Sequence, residues 1–103
     1  MTQRVALHTR LRAGMEAEYD RVHATIPRDL EAALRRAGVQ QYSIWRDGRD
    51  LFHLIEADDF EAMHDALRGD PAEAAWQTRI DALLETAEPS AERPALSLVW
   101  ELE

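Results

Sequence analysis

The sequence predicts a small α+β fold of the ferredoxin-like type, βαββαβ, and three observations carry that reading. Strand-like alternation opens and closes the chain. Two more alternating stretches flank an Asp-Gly turn in its middle. Helical periodicity fills the two intervals between them.

Val5, Leu7, Thr9 and Leu11 alternate with Ala6, His8 and Arg10, the period of a half-buried strand. From about Gly14 to Ala37 the apolar residues Met15, Tyr19, Val22, Ile26, Leu30 and Leu34 recur every three or four positions, as on one helix face. Within that region Pro27 stands four residues after His23. A proline has no N–H to give the His23 carbonyl, so the helix should bend or restart at the histidine. Gly38, after LRRA, stops the helical region, and the two arginines suit the negative end of the helix dipole. VQQYSIWR and LFHLIEA are short strands around DGRD, a hairpin signal. Aspartates begin DDFEAMHDAL, a helix with Phe60, Met63 and Leu67 as its apolar stripe, and Gly69 ends it. Asp70 caps the next helix, with Pro71 at its first position, Glu73 three residues after the cap, and Trp76, Ile80, Leu83 and Leu84 as its stripe. AEPSAERPA is a surface connection. LSLVWEL closes the chain as a strand with Leu96, Leu98, Trp100 and Leu102 on one face.

This order makes residues 1–103 one domain, with helices on one face of a four-stranded antiparallel sheet. Leu7 and Leu11 should face the helices, together with Tyr42, Ile44, Phe52, Leu54 and Glu56. The other face would carry Ala6, His8, Ser43, Trp45, Leu51, His53, Ile55 and Val99, too apolar for water. Burying it against a second copy predicts a twofold homodimer, a dimeric α/β-barrel.

Composition narrows the function. Twelve basic and twenty acidic residues leave a net charge of −8, which opposes nucleic acid and anionic membrane surfaces and favours a small molecule or a protein as ligand. The absence of cysteine removes disulfides and thiolate chemistry and fits a reducing compartment. No long apolar run marks a signal peptide or membrane span, so a cytoplasmic protein is expected. Of His8, His23, His53 and His64, no pair has the spacing of a metal motif; His8 and His53 fit the dimer face better than a metal site. No glycine-rich phosphate loop and no nucleophile-elbow serine occurs, so neither a metal nor a cofactor is expected.

Tyr19 and His23 lie one turn apart on a helix face that descends towards the sheet, Tyr42 points from a strand, and Trp76 comes from the last helix. Aromatic faces over a few hydrogen-bonding groups suit a sugar, with Glu56 as a nearby carboxylate. Spacing alone leaves His23 readable as an ordinary core or surface histidine, and Tyr19, Tyr42 and Trp76 as packing residues.

EYDRVHATIPRDLEAALRRAGVQQYSI, with the later LFHLIEADDFEAM and AAWQTRIDALL, resembles the L-rhamnose mutarotase family from the first strand to the last helix. Tyr-x-x-x-His, a Leu-rich stretch, a glycine and a strand tyrosine form an ordered set that carries the likeness. The resemblance implies a dimeric ferredoxin-like fold and cofactor-free interconversion of the α and β anomers of L-rhamnose. It implies that His23 is the catalytic proton donor and that Tyr19 and Tyr42 bind sugar. The paired tryptophans of the family's last helix fall on Trp76 and Gln77. Gln77 therefore replaces the second tryptophan, and Pro27 stands where the family often has another. Mutarotation needs a proton given to the ring oxygen and one taken from the anomeric hydroxyl; a histidine exchanges protons both ways near neutrality. Glu56 or a water is the candidate partner opposite His23. Two other readings remain open: another enzyme of this barrel class, such as a cofactor-free monooxygenase or polyketide cyclase, and a non-enzymatic small-ligand-binding dimer.

Overall fold

The computed structural model describes residues 2–85 and 95–102. Within them, strand β1 spans Gln3–Arg10, helices α1 and α2 span Glu16–His23 and Arg28–Arg36, strands β2 and β3 span Val39–Asp47 and Asp50–Ala57, and helices α3 and α4 span Phe60–Arg68 and Pro71–Asp81. The three strands form an antiparallel sheet in the order β1-β3-β2. All four helices pack on one of its faces. Leu7, Ile55 and Ala57 meet Ala33, Met63 and Leu67 at one end, and Leu51 meets Tyr19, Val22 and Ile80 at the other.

The local signals explain most of these elements. Asp59 caps α3 by accepting from the Ala62 N–H at 3.0 Å, and Asp70 caps α4 by accepting from Ala72 and Glu73 at 2.9 and 3.4 Å. The turn between β2 and β3 has Gly48 and Arg49 at its centre, with Gly48 at φ 61°, where a side chain would be strained. The long helical region divides as the proline predicts, and the break is wider than a kink. Helix α1 stops at His23, while Pro27 is the N-cap of α2 with ψ 140° and lies outside either helix. The proline thus holds open a break that begins at the histidine, and bends no continuous helix.

Two expectations need correction. Residues 95–102 form no fourth strand. They run beside β1, where the Leu96 N–H donates to the Ala6 carbonyl at 2.8 Å and Arg4 pairs with Glu101, but Leu98, Val99, Trp100 and Leu102 are exposed. Strand propensity depends on packing against neighbours, and the described residues leave these four side chains largely uncovered. The AEPSAERPA connection lies outside the described residues except for Ala95.

The second correction concerns the phase of β3. Leu51, His53, Ile55 and Ala57 are its buried, helix-facing residues, whereas Phe52, Leu54 and Glu56 point to the open face. Tyr42 pairs with Ile55 and Ile44 with His53, so the β2 phase stands while that of β3 is inverted. The open face carries Ala6, His8, Ser43, Trp45, Phe52 and Leu54, and the large aromatic residues Trp45 and Phe52 are exposed there. His8 and His53 therefore lie on opposite faces.

Candidate active site

Helix α1 buries Tyr19 and Val22, and this fixes which way its last turn points. His23 closes that turn. Its Nδ1 lies 3.0 Å from the Tyr19 backbone carbonyl. A carbonyl can only accept, so Nδ1 carries the proton and donates it, and in the neutral ring Nε2 is the acceptor nitrogen. The imidazole stacks on the Tyr19 ring at 4.0 Å and 30° and meets the edge of Trp76 at 5.1 Å and 78°. Burial holds the His23 pKa below its ordinary value; the Tyr19 carbonyl and Asp20 oppose that shift, and Arg79 adds to it. Asp20, three residues before His23 on the same helix, grips Arg46 of β2 with two contacts of 2.9 and 2.7 Å, tying α1 to the hairpin.

Helix α4 brings Trp76 and Gln77 from above. Ile80, almost fully buried, anchors the helix on the sheet and leaves Trp76 half-buried at the cavity wall. The Arg79 guanidinium lies 6.0 Å from the Trp76 ring centre, and Gln77 donates to Asp81 at 3.3 Å.

The floor comes from the sheet. The Tyr42 hydroxyl lies 3.2 Å from His53 Nδ1, and the other ring nitrogen lies 2.9 Å from the Thr9 hydroxyl. His53 and Thr9 are 1% and 2% exposed, so this chain of three is buried at its inner end. Burial, helped by the nearby His23 and His8, pushes the His53 pKa down to about 4, and the ring is neutral at pH 7.

A cavity of about 820 Å³ between helices and sheet joins these parts, a size usual for a small-molecule pocket. Tyr19, His23, Tyr42, Trp76 and Gln77, the five residues singled out in the sequence, all line it, with His53 beside them. Beyond them it continues over Leu30, Leu34, Met63 and Leu67. Glu56 is not part of it; its carboxylate lies 3.9 Å from Arg4 on the open face. His53 was the residue missed. A hairpin with a two-residue loop pairs even positions of β2 with odd positions of β3, so placing Tyr42 towards the helices already requires His53 there too.

Comparison with known proteins follows the same lines. The sequence model of L-rhamnose mutarotase matches residues 4–102. An L-rhamnose mutarotase of Verminephrobacter eiseniae is 40% identical over 77 residues, which is 73% of this chain and 72% of that protein. Among solved structures, an L-rhamnose mutarotase from Formosa agariphila superimposes with a TM-score of 0.77 at 21% identity, covering 98% of this chain and 99% of that one. Tetracenomycin F2 cyclase, a type-II polyketide cyclase from Streptomyces glaucescens, superimposes with a TM-score of 0.61 at 20% identity, covering 98% and 97%. At such identities the two structures speak for the fold alone.

Proposed function

Since the chain belongs to the L-rhamnose mutarotase family, we propose that it interconverts the α and β anomers of L-rhamnose or a related 6-deoxyhexose through ring opening. The observation that supports this best is the set of contacts around His23. With Nδ1 committed to the Tyr19 carbonyl, Nε2 is left to exchange a proton with the sugar.

Neutral His23 takes the anomeric hydroxyl proton at Nε2 while the bond from the anomeric carbon to the ring oxygen breaks. The products are an aldehyde and a ring oxygen that takes a proton from a hydroxyl of the pocket. Rotation about the bond next to the aldehyde exposes its other face. Closure reverses the steps, with the His23 imidazolium returning its proton to the new anomeric oxygen. Tyr19 and Tyr42 hold sugar hydroxyls, and Trp76 and Gln77 form the wall on which the sugar rests. Gln77, standing where the family has a second tryptophan, offers a hydrogen-bonding amide in place of a stacking surface.

The same reading extends to the assembly and its setting. The exposed Trp45 and Phe52 on the open face, and the exposed apolar side chains of segment 95–102 beside β1, support a homodimer that buries both sheets. Residues 1–103 form one domain in this proposal. No described helix is long and apolar enough to cross a membrane, and the cytoplasm is the compartment proposed for the activity.

Saturation transfer between the anomeric protons of L-rhamnose tests the activity. Exchange well above the buffer rate is the expected result. No acceleration for rhamnose, fucose or related sugars would defeat this reading. It would favour a cyclase-like activity on a larger aromatic substrate, for which the apolar extension over Leu30 and Met63 has room.

A further inference from the structure

Mutarotation needs a group opposite His23 that can face the sugar as a donor or as an acceptor, because the proton moves between two sugar oxygens. We infer that His53 is a positioning residue for this purpose: braced by Thr9 from inside the sheet, it sets the direction of the Tyr42 hydroxyl in the pocket. The inference rests on the mutarotase reading for its substrate, and on geometry for the rest.

Tyr42 is 40% exposed on β2, an outer strand of the described sheet, whereas its hydroxyl reaches a ring that is 1% exposed. That buried ring has a partner at each nitrogen, Tyr42 at 3.2 Å and Thr9 at 2.9 Å. A neutral imidazole donates from one nitrogen and accepts at the other, so two arrangements satisfy the whole chain. In the first, the Thr9 O–H donates to Nε2 and Nδ1–H donates to the Tyr42 oxygen; the phenolic proton then points at the ligand. In the second, Tyr42 donates its proton to Nδ1 and Nε2–H donates to Thr9; Tyr42 then offers the ligand a lone pair. One buried histidine thus lets a single hydroxyl serve as either donor or acceptor. The burial that keeps the ring uncharged makes it an orienting group, because a proton left on it would be an unpaired buried charge.

Two measurements test this. In ¹⁵N NMR of the histidine side chains at pH 7, Tyr42→Phe should move the His53 Nδ1 resonance; an unmoved Nδ1 would overturn the contact. In kinetics, His53→Leu should lower kcat/KM about tenfold in the otherwise native chain and have little effect in a Tyr42→Phe background, since the hydroxyl it orients is already gone. Equal losses in both backgrounds would overturn the positioning role and leave a merely structural histidine. His53→Asn, whose amide stands near the Nδ1 position, should rescue most of the loss. If His53→Leu does not fold, Thr9→Val gives the same test with an expected loss of about threefold, again only when Tyr42 is present. Wild-type protein without anomer exchange would defeat the mutarotase reading alone, and the Nδ1 response would still decide the contact.

Discussion

Lowering the pH should destabilise this protein through one buried histidine, and the size of the effect follows from its surroundings. An unfolded chain binds a proton at His53 near pH 6.5, whereas the folded chain holds that ring neutral down to about pH 4. Between those values the unfolded state carries the extra proton. Stability from this group is therefore complete above about pH 6.5 and falls as the pH is lowered, until the folded ring also protonates. Each pKa unit corresponds to about 1.4 kcal/mol, so the whole window is worth about 3 kcal/mol, of which about 2.5 kcal/mol is lost by pH 4.5. For a domain of this size that is a large part of a total stability of roughly 5–15 kcal/mol. Urea unfolding followed by circular dichroism at pH 7.5 and 4.5 measures it. His53→Asn is the control, because every other ionisable group is common to both proteins. The wild type should lose about 2.5 kcal/mol more than the variant over this interval. Equal losses would refute the buried, neutral His53 bonded to Thr9 and Tyr42.

Three further outcomes are expected. The acid limb of the kcat/KM profile should lie below the ordinary histidine value, because burial lowers the His23 pKa and the proposed mechanism uses the neutral ring as its base; Asp20→Asn, which removes a charge that opposes this shift, should move the limb further towards acid. Trp76→Ala, which strips the ring beside His23, should raise KM for the sugar about tenfold with a smaller change in kcat, as steady-state anomer exchange at varied sugar concentration would show. Trp45→Lys combined with Phe52→Glu should convert a dimer into a monomer in sedimentation velocity, since both residues expose apolar rings on the open sheet face; a wild-type monomer would remove the dimer from the account.

The sequence made much of this architecture readable because its signals are local. Asp59, Asp70 and Pro71 mark helix starts through capping chemistry that needs no tertiary partner. Gly48 marks the hairpin through its φ, and Pro27 marks the break after His23. The errors arose where the answer depends on packing. In LFHLIEA both alternating sets are apolar enough to be buried, so hydrophobicity leaves the phase undecided and the hairpin register decides it. That one inversion displaced Glu56 into the expected site and kept His53 out of it. LSLVWEL has the composition of a strand and lies at the edge of the sheet beside β1, yet among the described residues its apolar side chains stay exposed. The cluster of Tyr19, His23, Tyr42 and Trp76 was legible because each sits on an element whose phase core-facing neighbours fix: the buried Val22 for α1 and Ile80 for α4, and the half-buried Ile44 for β2.

The proposed mechanism turns on His23, which exchanges the proton that opens and recloses the sugar ring. Saturation transfer on L-rhamnose with the wild type and His23→Ala side by side tests it most directly, with circular dichroism to establish that both are folded. Exchange far above the buffer rate is expected in the wild type, with a fall of about 10²–10⁴-fold in the variant. Exchange that survives undiminished in folded His23→Ala would contradict it.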